Sequence, residues 1–229
     1  IDFLNSFEGL LVPVLVLLLM LAILIIIFFL IPKEPDLGKD IVVHGEKPIS
    51  STDIRYGKVT FEISEDSTYK CNSAPFSPPF LAEKVLVQLA PSRSSAMTSS
   101  LLQAVTVWLE WANATGFSAC VETSGRSDKV RVVTVHWLAL RGQPQDGAAG
   151  IVDIPFWTSG TSHVHISFPW ELNPVPEVFV TPVHSTPHQR KDAASVWSED
   201  VTTFGFKLYL REVTNFSGGH ANIRVVSLL

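Results

Sequence analysis

The apolar positions of this chain fall into two textures. The first is a single block, LLVPVLVLLLMLAILIIIFFLI at 10–31, with no charged residue between Glu8 and Lys33. At about 1.5 Å per residue such a run covers the roughly 30 Å hydrocarbon core of a bilayer, so it predicts one transmembrane helix within 1–32. The second texture begins at Gly57. KVTFEI, KVLVQL, AVTVWLEW, FSACVE and VRVVTVHWLAL, and later HVHISF, EVFVTPV, ASVW, FGFKLYLREV and NIRVVSLL, are short segments rich in β-branched and aromatic residues. Several alternate with period two, and Pro, Ser and Gly clusters separate them, which predicts antiparallel strands. No stretch after the block shows an amphipathic helical period, so the fold class expected is mainly β.

Between the two textures, 33–56 is rich in Pro, Gly and charge without a sustained period, and it reads as a linker with one short strand at 41–43. A secretory signal peptide is the alternative reading of the block, but signal cores run to about 7–15 apolar residues behind a basic leader. Here the leader IDFLNSFEG is acidic. The chain opens on Ile1 rather than Met, which leads to the expectation that a preceding segment was removed or lies outside this sequence. Lys33 and Lys39 weakly favour a cytoplasmic placement of the region after the block. Two cysteines, Cys71 and Cys120, and two N-x-[ST] sequons, at Asn113 and Asn215, argue the opposite. The cysteines allow a single bridge, which persists only in an oxidising space, with free buried thiols as the alternative. The expectation is therefore a single-pass membrane protein whose later domains lie on the extracytoplasmic or organelle-lumenal side.

The strand-rich region contains a repeat. VWLEWANATGF at 107–117 and VWSEDVTTFGF at 196–206 share Val-Trp at the front and Gly-Phe at the back. Trp108 and Trp197 lie 89 positions apart, and so do Gly116 and Gly205. A period near 89 carried at several matched points predicts one unit used twice, over 57–140 and 160–229, with the turn-rich 141–159 as the connection.

FSPPFLAEKVLVQL, AVTVWLEWANATGFSACVE and VRVVTVHWLAL in the first unit resemble the H-type lectin domain, the family of snail agglutinins and the C-terminal domain of discoidins. The resemblance covers roughly 150 residues and is weaker in the second unit, whose closing strand has Val225 where the first has Trp137. It implies a six-stranded antiparallel β-sandwich in each unit, assembly into trimers or larger oligomers, and, in sugar-binding members, recognition of galactose or N-acetylgalactosamine. Trp137 is the one residue carried over as a carbohydrate contact. In sugar-binding members a histidine follows that tryptophan, whereas Leu138 follows it here, which favours a packing role for Trp137.

Other chemistry is sparse. His163 and His165 alternate on an expected strand and so share a face, as metal ligands do, but no third ligand is fixed by spacing; His184, His188 and His220 are candidates by supply only. They read as solvated histidines, and no metal or cofactor is expected. No nucleophile elbow, phosphate-binding glycine loop or zinc-protease signature occurs, and no carboxylates form a spaced acid–base pair, so no enzyme is expected. A net charge of −5 argues against nucleic acid as a partner. Trp108 is expected to fill the gap between two sheets, with Trp111 leaving by the opposite face, and Phe156 and Trp157 to pack between the units. The function expected is that of a non-catalytic accessory subunit, held in a lipid bilayer and touching other membrane protein subunits through 10–31 and its β domains. The alternative is a tethered lectin that binds glycans.

Overall fold

The computed structural model describes residues 19–21, 36–42, 53–65, 67–81, 84–93, 105–123, 131–142, 147–154, 160–184, 194–212 and 223–228. The chain divides into two compact units, Ile1–Glu34 and Pro35–Leu229. In the first, residues 19–21 are helical and exposed. The remainder of the apolar block lies outside the described residues, and among the described residues no helix is long and apolar enough to cross a membrane.

The second unit is mainly β. Its strands are β1 (Asp36–Val42), β2 (Asp53–Ile63), β3 (Tyr69–Pro75), β4 (Leu86–Arg93), β5 (Val105–Asn113), β6 (Gly116–Thr123), β7 (Arg131–Arg141), β8 (Ala149–Asp153), β9 (Thr161–Ser167), β10 (Phe179–His184), β11 (Ala194–Glu199), β12 (Gly205–Glu212) and β13 (Ile223–Leu228). They form three sheets, ordered β2-β7-β4, β1-β9-β12-β11 and β3-β6-β5-β10-β13-β8.

The pairing order repeats along the chain. The first half pairs β2-β7-β4 and β3-β6-β5; the second pairs β8-β13-β10 and β9-β12-β11 in the same sequence order. Within each half the pairs are antiparallel. One parallel pair, Val183 with Leu109, joins the two halves into the six-stranded sheet. At the same junction Thr106 Oγ1 lies 3.2 Å from Ser195 Oγ, two side chains that are themselves 89 positions apart. The halves thus meet partly through equivalent residues, as the two subunits of a two-fold dimer do.

Alternation sets the cores. In β2 the inward positions Val59, Phe61 and Ile63 are buried while their neighbours are exposed, and they meet Val87 and Leu89 of β4, Phe117, Ala119 and Val121 of β6, and Val133 and Val135 of β7. The second half gathers Val152, Val164, Ile166, Phe206, Leu208 and Leu210 in the same sandwich-like way. Sheets packed through one apolar face and wetted on the other give this pattern.

Four features were not legible as expected. Strand β1 starts at Asp36, within the stretch read as a linker, and pairs in parallel with β9. Strand β2 starts at Asp53, four positions ahead of the Gly57 boundary, and β8 lies inside the stretch read as a connection, where AGIVD is too short and too glycine-rich for a period to register. Trp108 does not fill the gap between sheets: Val105, Val107 and Leu109 face the first core, and Trp108 packs with Cys120 in a separate buried cluster. A register irregularity between Leu109 and Trp111 accompanies the change of phase that leaves Trp111 exposed. Phe156 and Trp157 lie outside the described residues.

Candidate functional site

The shared Val-Trp…Gly-Phe signature is a hairpin built twice, and its residues explain themselves. In the β5–β6 turn, Asn113 Oδ1 accepts hydrogen bonds from the backbone of Thr115 at 2.8 Å and of Gly116 at 3.2 Å. In the β11–β12 turn, Thr202 Oγ1 occupies the same place and accepts from Phe204 and Gly205, each at 3.2 Å. Short polar side chains that bond their own backbone are how such turns close. A crossing segment then bonds each turn: Phe76 and Phe80 donate to Thr115 and Ala114, and Phe168 and Leu172 donate to Phe204 and Thr203, all at 2.8 Å. Glycine is required because the turn presses on that segment. A Cβ on Gly116 would lie 2.5 Å from the Ala74 carbonyl oxygen, and one on Gly205 closer still to that of Ile166. The following phenylalanines fill both cores, Phe117 at 5.7 Å from Phe76 and Phe206 at 5.8 Å from Phe168, with the same interplanar angle of 38°.

Outside the cores, each half carries one row across three strands, and the rows differ in chemistry. In the first, Cys71, Cys120 and Trp108 stand in register on β3, β6 and β5, and the two cysteines form a disulfide. The Trp108 indole donates to Glu110 Oε1 at 2.6 Å, with both side chains buried. Cys120 Sγ lies 3.5 Å from the same carboxylate oxygen. A disulfide sulfur carries no hydrogen, so this is a packing contact. For the same reason the grouping of Cys71, Cys120 and Glu110 offers no thiolate for a metal.

In the second half the equivalent row is His163, Tyr209 and Trp197 on β9, β12 and β11. The rings of Trp197 and Tyr209 stack at 5.4 Å and those of Tyr209 and His163 approach at 5.1 Å. The Trp197 indole donates to Glu199 Oε1 at 2.6 Å, which repeats the Trp108–Glu110 bond, but here the row is half-buried and Glu199 exposed. A pair of aromatic rings thus stands where the first half has a covalent bridge. The next row outward is His165, Lys207 and Glu199. Lys207 Nζ donates to Asp200 Oδ2 at 2.6 Å. That hydrogen bond and the opposite charge hold the Asp200 carboxyl below the ordinary carboxylate range and the Lys207 ammonium above its ordinary value. Asp200 is held at φ 50°, a conformation that Asp tolerates better than most residues.

Trp137 lies on β7 in the first core. Its ring sits 5.6 Å from Phe76 and 5.5 Å from Phe117, and it crosses Gly57, where a Cβ would lie 2.6 Å from the indole. Leu138, which follows it on β7, is half-buried. Asn113 is exposed at its turn; Asn215, His188 and His220 lie outside the described residues.

The turn ends also differ. Phe204 is 63% exposed and Trp170, on the segment that crosses that turn, 39% exposed; their equivalents in the first half are Thr115 and Pro78. Trp170 was one of the tryptophans the sequence offered as either core filler or contact surface, whereas Phe204 and the His–Tyr–Trp row were not found from sequence, because which strands neighbour one another is a non-local property. The Trp-x-Glu spacing common to both halves was the available signal. The chain matches no protein-family model, no curated protein and no solved structure.

Proposed function

We propose that this chain is a non-catalytic, single-pass membrane protein that serves as an interaction or structural accessory subunit of a larger membrane assembly. In this reading two H-type lectin-like, six-stranded β-sandwiches present surfaces to other membrane subunits on the extracytoplasmic or lumenal side of the bilayer. The supporting observation is the pair Phe204 and Trp170. A turn closed in the same way in the first half accommodates Thr115 and Pro78, so folding does not require aromatic side chains there. Large apolar side chains held in water on a rigid turn are unfavourable unless a partner covers them. The disulfide supports placement in an oxidising space.

The test is to recover the full chain from its native membrane in mild detergent and compare it with a Phe204→Ser/Trp170→Ser variant. The accessory reading expects the wild-type chain in a particle heavier than one protomer, and loss of that association in a variant with unchanged melting. A monomeric wild-type chain, or a variant that associates as well as wild type, contradicts it.

A tethered lectin is the second reading, favoured by the half-exposed Trp197 and Tyr209 rings beside Glu199. Sugar rings bind aromatic surfaces flanked by fixed polar groups. Since Trp137 is engaged in the core, glycan binding by this route should be lost on Trp197→Ala, and binding retained by that variant would exclude the row as the platform.

A further inference from the structure

In sequence the Asn113 sequon bears only on compartment; the structure gives it a setting. Asn113-Ala114-Thr115 forms the tip of the β5–β6 hairpin, with Asn113 and Thr115 exposed. Three donors converge on one arm of the Asn113 side chain: the Thr115 amide and hydroxyl, each at 2.8 Å, and the Gly116 amide at 3.2 Å. That arm is therefore the oxygen, and the planar carboxamide turns its nitrogen away from the turn. Closing the turn needs the oxygen alone, since Thr202 closes the matching turn with a hydroxyl. Folding thus gives Asn113 Nδ2 no part in the turn.

Two positions earlier on β5 stands Trp111, 38% exposed, just past the register irregularity of that strand. Residues i and i+2 of a strand share a face about 7 Å apart, so the indole lies beside Asn113. The second half has neither feature: 89 positions on, Trp111, Asn113 and Thr115 give way to Asp200, Thr202 and Phe204. We propose that Asn113 carries an N-linked glycan whose first N-acetylhexosamine packs its apolar face on the Trp111 indole. An exposed turn has room for so bulky a group, and sugar rings bind aromatic surfaces. In the transfer from a polyprenyl-diphosphate oligosaccharide, a bond forms between Asn113 Nδ2 and the anomeric carbon. The bond from that carbon to the diphosphate oxygen breaks, its electron pair leaves with the diphosphate, and Nδ2 loses one proton. Oδ1 and its three accepted bonds are untouched, so the turn survives the modification. The site rests on the extracytoplasmic placement in the reading above and adds a consequence to it. Sugar sheathes the first-half turn and leaves the second-half turn, with Phe204 and Trp170, as the end open to a partner.

The experiment expresses the full chain and its variants in the source cells, purifies them from the membrane in mild detergent, and maps position 113 by mass spectrometry before and after peptide N-glycosidase. Expected is an N-acetylhexosamine-based glycan on Asn113, released with conversion of the amide to an acid, retained in Thr115→Ser and lost in Thr115→Ala and Asn113→Asp. The Asn113→Asp variant keeps an oxygen acceptor for the turn, so it should fold and melt as the enzymatically released chain does. Release should lower the wild-type melting midpoint by about 2 °C or more and leave that of Trp111→Ala unchanged. An unmodified Asn113 in the wild-type chain overturns the site, and the thiols of the same sample tell which premise failed. With the Cys71–Cys120 bridge intact the site alone falls; with both cysteines free the extracytoplasmic placement falls with it. No midpoint shift on release, or an equal one in Trp111→Ala, overturns the Trp111 contact.

Discussion

Reduction of the Cys71–Cys120 bridge isolates one contribution to stability. The bridge links directly opposed residues of β3 and β6, strands already paired at seven positions from Tyr69–Glu122 to Pro75–Gly116. The reduced protein therefore keeps the same native pairing, and the loss falls on the unfolded chain, which regains the freedom of a loop with ends 49 positions apart. For a loop of that length the chain-entropy relation gives about 4 kcal/mol. Cys120 is fully buried against Trp108, so substitution there would add a packing cost; a reductant avoids this. Urea unfolding of the full chain in detergent, with and without phosphine reductant and followed by tryptophan fluorescence, measures the difference. A midpoint shift equivalent to about 3–5 kcal/mol supports the loop-closure account. A difference below about 1 kcal/mol would refute it, since the bridge would then add nothing that the β3–β6 ladder had not already fixed.

Further outcomes follow from matched positions. Gly116→Ala and Gly205→Ala each place a Cβ against a backbone carbonyl, and each should cost about 1–3 kcal/mol or more by thermal melting; a near-neutral result at either would deny the shared turn. Glu110→Ala removes the buried acceptor of the Trp108 indole and should cost about 1–3 kcal/mol, whereas Glu199→Ala, exposed, should stay within about 0.5 kcal/mol. For Asp200 and Lys207 the signs are opposite. The depressed carboxyl gives stability present above its unfolded pKa and lost as pH falls through the folded value; the raised ammonium gives stability present below its unfolded pKa and lost as pH rises through the folded one. Both groups are in water, so Lys207→Ala should return the Asp200 titration, followed by carboxyl NMR, to the ordinary range with little change in melting. An unmoved Asp200 titration would contradict the pair.

What the sequence disclosed and what it hid divide along local and non-local lines. Trp108, Gly116 and Phe117, with Trp197, Gly205 and Phe206, were visible because each is large or sterically exacting and its spacing is local to one hairpin. Mainly β character was visible for the same reason, through alternation in segments such as 58–63 and 131–137. The face on which Trp108 lies was not, since a period of two marks two faces without saying which one meets a core. The partner of β1 and the strand at 149–153 were hidden because both depend on pairings between residues more than 70 positions apart. The candidate site needed both kinds of information: HVH is legible at 163–165, but Tyr209 and Trp197 arrive beside it only with the register.

The central claim, one β unit laid down twice in the same register, is tested most directly by moving the bridge. His163 and Tyr209 stand four pairs in from the β12 turn glycine, as Cys71 and Cys120 stand four pairs in from the β6 turn glycine. In a His163→Cys/Tyr209→Cys variant that keeps the native cysteines, disulfide mapping by mass spectrometry should find two bridges, 71–120 and 163–209, and no others. A variant in which 163 and 209 stay reduced, or pair with 71 or 120, would contradict the doubled unit.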